Sequence, residues 1–269
     1  MATISSSAVA QVDSGYAPVN GIRMYYEIHG QGEMPLVLIH GGGSTIGTSF
    51  GNLLPLLARG RRVIAIETQG HGRTSDREGP ESFQQDADDV AALVRYLKIS
   101  KADFLGFSNG GSTVLQIAIR HPELVDKIIP ISGAYRRDGL VPGFFEHMPK
   151  ATIDVMPAVL REAFLKLTPD SAKLLTMFAK DKQRMIDFPD WPDADLRSIK
   201  APAMIISSDR DVIVPEHSVR MARLIPGARL VILPGVHGAV IGAVEAEEGK
   251  GKGYADVVAM LVEEFLAGK

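Results

Sequence analysis

The chain has 269 residues, 45% of them apolar, with 29 Lys plus Arg against 32 Asp plus Glu and a formal charge of -3. That length and apolar share suit one α/β core, and the near-balanced charge offers no basic field for nucleic acid and no strongly acidic one either. There is no cysteine, so composition excludes disulfides, thiolate catalysis and Cys-ligated metals.

Residues 1–14, MATISSSAVAQVDS, are small and polar. They lack the positive start and apolar core of a secretion signal and read as a disordered tail. No run approaches the roughly 18 apolar residues that a spanning helix needs. A soluble, cytoplasmic protein without a membrane partner is expected, and no feature encodes an oligomeric state.

Short β-rich runs then alternate with helical ones. Strands are predicted at 23–28, 36–39, 63–66, 103–105, 127–131, 204–207 and 229–233, and helices at 83–98, 110–120, 216–224 and 254–266. The helix at 83–98 carries Asp86, Asp88 and Asp89 near its start, where the helix dipole favours negative charge. This alternation implies an α/β fold with a mostly parallel sheet covered on both faces. From 135 to 192 no strand pattern occurs, and Pro142, Pro149, Pro157, Pro169, Pro189 and Pro192 divide the segment into short helical pieces. The expected organisation is a core of residues 15–134 and 193–269 with a small helical segment, 135–192, inserted between the strands at 127–131 and 204–207. Residues 245–253, mixed in charge and rich in glycine, read as a mobile solvent loop.

The run Gly106-Phe107-Ser108-Asn109-Gly110 follows an apolar strand and opens a helix. In such a G-x-S-x-G turn the serine occupies a strained position that lifts its hydroxyl clear of the sheet. A serine hydroxyl still needs an adjacent base to act as a nucleophile. Upstream, the apolar run Leu36-Val37-Leu38-Ile39 ends in His40-Gly41-Gly42-Gly43, and downstream lie an acid-bearing loop and a histidine.

Taken together, these segments resemble the α/β-hydrolase family, over nearly all of residues 20–266. The resemblance implies a triad in the chain order Ser, acid, His, with a helical cap where residues 135–192 stand. Of the seven histidines, His237 in Pro234-Gly235-Val236-His237-Gly238 matches the family's His loop. His121 reads as a helix C-terminal residue. His40 and His71 are expected to organise backbone beside the site, with His40 a candidate for the pocket. The segment Ser208-Asp209-Arg210-Asp211-Val212-Ile213-Val214-Pro215, laid over the family's G-x-x-D-x-x-V-P, puts the acid on Asp211. Asp209 is the competitor, with an alternative role as acceptor of backbone hydrogen bonds in the turn. The oxyanion donors implied are the backbone N–H groups of Asn109 and Gly42.

The chain departs from the family pattern at two places. Asn109 replaces the usual Met, Leu or Gln after the serine, and its side chain either makes the acyl pocket more polar or turns to a neighbouring loop. Glu67-Thr68-Gln69-Gly70-His71-Gly72-Arg73-Thr74 stands for D-x-x-G-x-G-x-S, which should preserve a structural turn.

The expected activity is hydrolysis of a small or medium apolar carboxylic ester through an acyl-enzyme on Ser108, with no cofactor or metal. Carbon-carbon bond hydrolase and lactonase activity use the same triad and remain open, as does a hydrolase-like receptor for a small ligand with little turnover. Pocket candidates in the cap are Phe144, Phe145, Met148 and Trp191, the last also readable as a cap anchor. Arg136 and Arg137 either solvate the surface or meet an acidic substrate.

Overall fold

The computed structural model describes residues 13–246 and 253–268. Asn20 and Gly21, at φ 43° and 87°, turn β1 (Asp13–Val19) onto β2 (Ile22–His29) with Val19 opposite Ile22. An Asn-Gly pair between strands suits this turn because both central residues need positive φ. The hairpin corrects the reading of a tail through residue 14, since Asp13 and Ser14 belong to β1. Residues 1–12 lie outside the described residues.

The remaining strands are β3 (Leu36–Ile39), β4 (Val63–Ile66), β5 (Ala102–Phe107), β6 (Val125–Ile131), β7 (Met204–Arg210) and β8 (Arg229–Val236). They form one eight-stranded sheet in the order β1-β2-β4-β3-β5-β6-β7-β8. Its β1–β2 and β2–β4 pairs are antiparallel, and all the others are parallel. Central strands such as LVLI and VIAI are buried at every residue, which is why they read as unbroken apolar runs rather than alternating ones.

Two layers of helices cover the sheet. On one face α1 (Ile46–Phe50), α2 (Leu54–Leu57) and α10 (Ala255–Ala267) bury Phe50, Leu57 and Val262 against it. On the other, α3 (Phe83–Tyr96), α4 (Asn109–Arg120), α8 (Asp193–Ser198) and α9 (Pro215–Leu224) contribute Val90, Ile117, Leu196 and Met221. Ser82 caps α3 by accepting the N–H of Gln85. The acids of α3 have partners more specific than the helix dipole: Asp86 pairs with Arg184, Asp88 with Arg120 and His121, and Asp89 with Arg77.

Between β6 and β7 the chain leaves the sheet for α5 (Phe144–His147), α6 (Ala158–Leu167) and α7 (Ser171–Ile186). Helices α6 and α7 share a small apolar cluster that includes Met156, Leu160, Phe164 and Leu174, whereas Phe144 and Phe145 of α5 pack against the core. Trp191 anchors the returning chain. Its buried ring packs at 6.0 Å from Phe83 and 5.6 Å from Phe188, and the Trp191 backbone N–H donates to the carbonyl of Tyr135. Among the described residues no helix is long and apolar enough to cross a membrane.

Candidate active site

Ser108 stands between β5 and α4 with φ 55° and ψ -117°, a left-handed backbone that costs energy in a non-glycine residue. Its neighbours make room for the turn. A Cβ on Gly106 would lie 2.0 Å from the Gly110 carbonyl oxygen, and one on Gly110 would lie 2.1 Å from the Ile39 oxygen and 2.6 Å from that of His40. Backbone on both sides leaves little room for relief. Gly110→Ala is therefore expected to destabilise the protein by about 1–3 kcal/mol, read as a lower denaturant midpoint.

The turn aims Ser108 Oγ at His237 Nε2, 3.0 Å away, and His237 Nδ1 lies 2.6 Å from Asp211 Oδ1. His237 follows β8 and its ring packs 4.8 Å from that of Phe107. Asp211 is buried, and its other oxygen accepts the Ser132 hydroxyl at 2.5 Å, while Ile213 N–H donates to Oδ1 at 3.2 Å. Burial opposes its ionisation, but the hydrogen bonds from His237, Ser132 and Ile213 outweigh this and hold the carboxyl below its ordinary value. Asp209 is spent elsewhere, accepting the Gly235 N–H at 2.7 Å.

Sequence reasoning did not single out Ser132. It occupies the position directly after β6, and its φ of 51° turns it toward Asp211. A polar residue closing a parallel strand beside the elbow was the available signal.

Ser108, Asn109, Gly42 and His237 open onto a cavity of about 410 Å³. The helices between β6 and β7 roof it, with Phe144, Met148, Met156, Met177, Phe178 and Met185 on the wall. Phe144 and Met148 are thus at the cavity. Phe145, Trp191 and His40 are not on its wall, which corrects their reading as pocket residues. Phe145 lies under the Arg137 guanidinium, and Trp191 packs on α3. His40 is buried behind the Gly41-Gly42-Gly43 loop, donating from Nδ1 to the Gly41 carbonyl and accepting the Thr68 N–H at Nε2. Burial, with His71 nearby, pushes its pKa down to about 3, so it is the neutral imidazole that this bonding requires.

A buried ionic cluster adjoins the cavity. Asp181 of α7 accepts from Gly43 N–H at 2.6 Å and from His71 Nε2 at 2.9 Å, and it pairs with Arg184. Arg184 also reaches Asp86 at 2.6 Å, with Glu81 3.8 Å away. His71 donates its other nitrogen to the Gln69 carbonyl at 2.8 Å. Burial disfavours a charged His71, but Asp181 dominates and raises its pKa to about 9. An imidazolium has no lone pair to accept with, so Gly43 N–H, 3.1 Å from His71 Nε2, belongs to the carboxylate.

The linkage follows from that shift. A group whose pKa rises on folding contributes stability fully below its unfolded value of about 6.5, and the contribution disappears as pH rises through the folded value. The melting temperature is expected to fall between pH 6.5 and 9, and His71→Gln should flatten that slope. A midpoint constant across this range in the parent would assign the proton elsewhere.

At the far side of the site, Val244–Ala246 form a short 3-10 turn, and burial raises the pKa of Glu245. The expected solvent loop is therefore structured at its start. Residues 247–252 of it lie outside the described residues.

The profile of the alpha/beta hydrolase family matches residues 36–242. The chain belongs to this family. Its similarity to curated members is distributed over several activities. It is 26% identical to the serine hydrolase BPHL of Homo sapiens, over 95% of this chain and 87% of that protein. It is 29% identical to the 2-hydroxymuconate semialdehyde hydrolase of Pseudomonas sp. (strain CF600), over 78% of this chain and 82% of that protein. Among solved structures, the enol-lactonase from Burkholderia xenovorans LB400 superposes with a TM-score of 0.74 at 24% identity, covering 94% of this chain and all of that one. This α/β-hydrolase is accordingly a hydrolytic enzyme.

Proposed function

We propose that this α/β-hydrolase cleaves small or medium apolar carboxylic esters through an acyl-enzyme on Ser108. The observation that carries the reading is the continuous hydrogen-bond chain Ser108–His237–Asp211 at the floor of an apolar cavity. Ser108 Oγ attacks the acyl carbon while His237 Nε2 takes its proton, and Asp211 holds Nδ1–H so that Nε2 is the basic nitrogen. His237 then returns the proton to the departing alcohol. Water, deprotonated by the same imidazole, releases the acid and restores the hydroxyl.

The proposed oxyanion donors are Gly42 N–H and Asn109 N–H. Neither has a protein acceptor among the described residues, and Asn109 opens α4, where the first N–H groups lack intrahelical partners. Each such donor is typically worth about 3 kcal/mol in the transition state.

The charges near the cavity favour a neutral substrate. Among the described residues Lys182 supplies the ammonium on the wall, and its Nζ donates to the Ala151 carbonyl at 3.1 Å. Arg136 pairs with Asp138 and Asp190, and Arg137 with the Ile186 carbonyl and the Phe145 face.

The test is a screen of p-nitrophenyl acetate, butyrate and octanoate, neutral lactones, and vinylogous 1,5-diketones, with fluorophosphonate labelling of Ser108. Neutral esters should give the highest kcat/KM. Preference for the diketones would overturn the ester assignment. Absence of both turnover and labelling would favour a ligand-binding role.

A further inference from the structure

Asp181 sits where the helical segment meets both strips of backbone that are proposed to stabilise the oxyanion. Its Oδ2 accepts Gly43 N–H at 2.6 Å, and its Oδ1 lies 3.5 Å from Asn109 Nδ2. A Cβ on Gly42 would stand 2.4 Å from Asn109 Nδ2 and 3.1 Å from Asp181 Oδ2. The carboxylate and the two donor strips are therefore in direct contact.

A negative group here needs a physical reason. Alone, it would oppose the charge that develops on the substrate oxygen. Arg184 and His71 neutralise it from behind, through the contacts given above, so that it functions as a hydrogen-bond acceptor rather than as a net charge. What it accepts matters. Three consecutive glycines have little intrinsic stiffness, yet a donor contributes most when it is fixed before the charge arrives. At one end of this run Gly41 N–H donates to Ser49 Oγ at 3.3 Å, and at the other Gly43 N–H donates to Asp181. Gly42 is held between these two tethers. One tether belongs to the core and the other to α7, whose Met177 and Met185 also wall the cavity.

We propose that Asp181 is a positioning residue that sets the shape of the oxyanion loop from α7, making acyl transfer competent only when this helix is docked on the core. The inference rests on the acyl-transfer reading through Ser108. It assigns the segment between β6 and β7 a part in catalysis beyond enclosing the substrate.

The experiment compares the full-length parent, Asp181→Ala and Asp181→Glu on p-nitrophenyl butyrate, with melting temperatures for each. Inhibition by phenylboronic acid is measured in parallel. Its boron accepts the Ser108 Oγ electron pair while the hydroxyl proton passes to His237, giving a tetrahedral anion that uses the same donors. Asp181→Ala is expected to lower kcat about 100-fold with KM changed less than about threefold, and to weaken phenylboronic acid by a similar factor. Asp181→Glu keeps the charge for Arg184 and His71 but displaces the acceptor by one methylene, and should lose about tenfold in kcat. This variant carries the test if the alanine variant does not fold. A kcat within about twofold of the parent in a folded variant, whatever its melting temperature, would reduce Asp181 to a structural tether and overturn the proposal. A parent without Ser108-dependent turnover would overturn the acyl-transfer reading itself, and the inference with it.

Discussion

Ser108→Ala is expected to lower kcat on p-nitrophenyl butyrate by about 10⁴-fold or more and to abolish fluorophosphonate labelling. A hydroxyl is a weak nucleophile at neutral pH, and of the serine hydroxyls on the cavity wall only that of Ser108 is aimed at an imidazole, with His237 Nε2 3.0 Å away to take its proton. Ser112 and Ser132 also line the cavity, but Ser112 Oγ donates to the Ala134 carbonyl and Ser132 Oγ to Asp211. Neither can substitute. The residual rate should reflect binding and the oxyanion donors alone, and KM should change little. Turnover retained within about tenfold would place the nucleophile elsewhere.

Asp211→Asn should lower kcat by about 10⁴-fold while leaving the fold intact. Asparagine is close in shape, but its amide can present N–H to His237 Nδ1. The imidazole would then carry its proton on Nε2, the nitrogen that must be basic. The hydrogen bonds from Ser132 and Ile213 hold the carboxylate oxygens that asparagine cannot both reproduce. Asp209→Asn is the control. Its carboxylate tethers Gly235 near the end of β8, two residues before His237, so its loss is expected to change kcat by no more than a few-fold and to act mainly on stability. Reversed effects in these two variants would assign the acid to Asp209.

Much of the fold was legible because the responsible signals are local. Buried parallel strands such as Leu36–Ile39 and Val63–Ile66 are continuous apolar runs, and their observed bounds equal the predicted ones. Strand β1 was missed. Its half-exposed residues give weak periodicity, although Asn20-Gly21 marked the hairpin. The elbow was legible for a related reason: the glycines around Ser108 are required by backbone contacts within the G-x-S-x-G turn and with the neighbouring strand end. Trp191 and Phe145 show the limit of such reasoning. A large apolar side chain in the segment between β6 and β7 packs equally well on α3, on a guanidinium or on a substrate, and only the path of the chain selects among them.

By itself, then, the sequence determined the α/β architecture, the strained serine turn and the order of serine, acid and histidine, because apolar runs, glycine spacing and loop motifs are properties of neighbours along the chain. Only the tertiary structure decided what meets across it. It joined His237 and Asp211 to Ser108, added Ser132 behind the acid, and brought Asp181 from α7 to the Gly43 N–H, 138 residues away in sequence. Hydrogen bonds and ion pairs of this kind depend on distances of about 3 Å, which are fixed only once the sheet, its helices and the segment between β6 and β7 have packed.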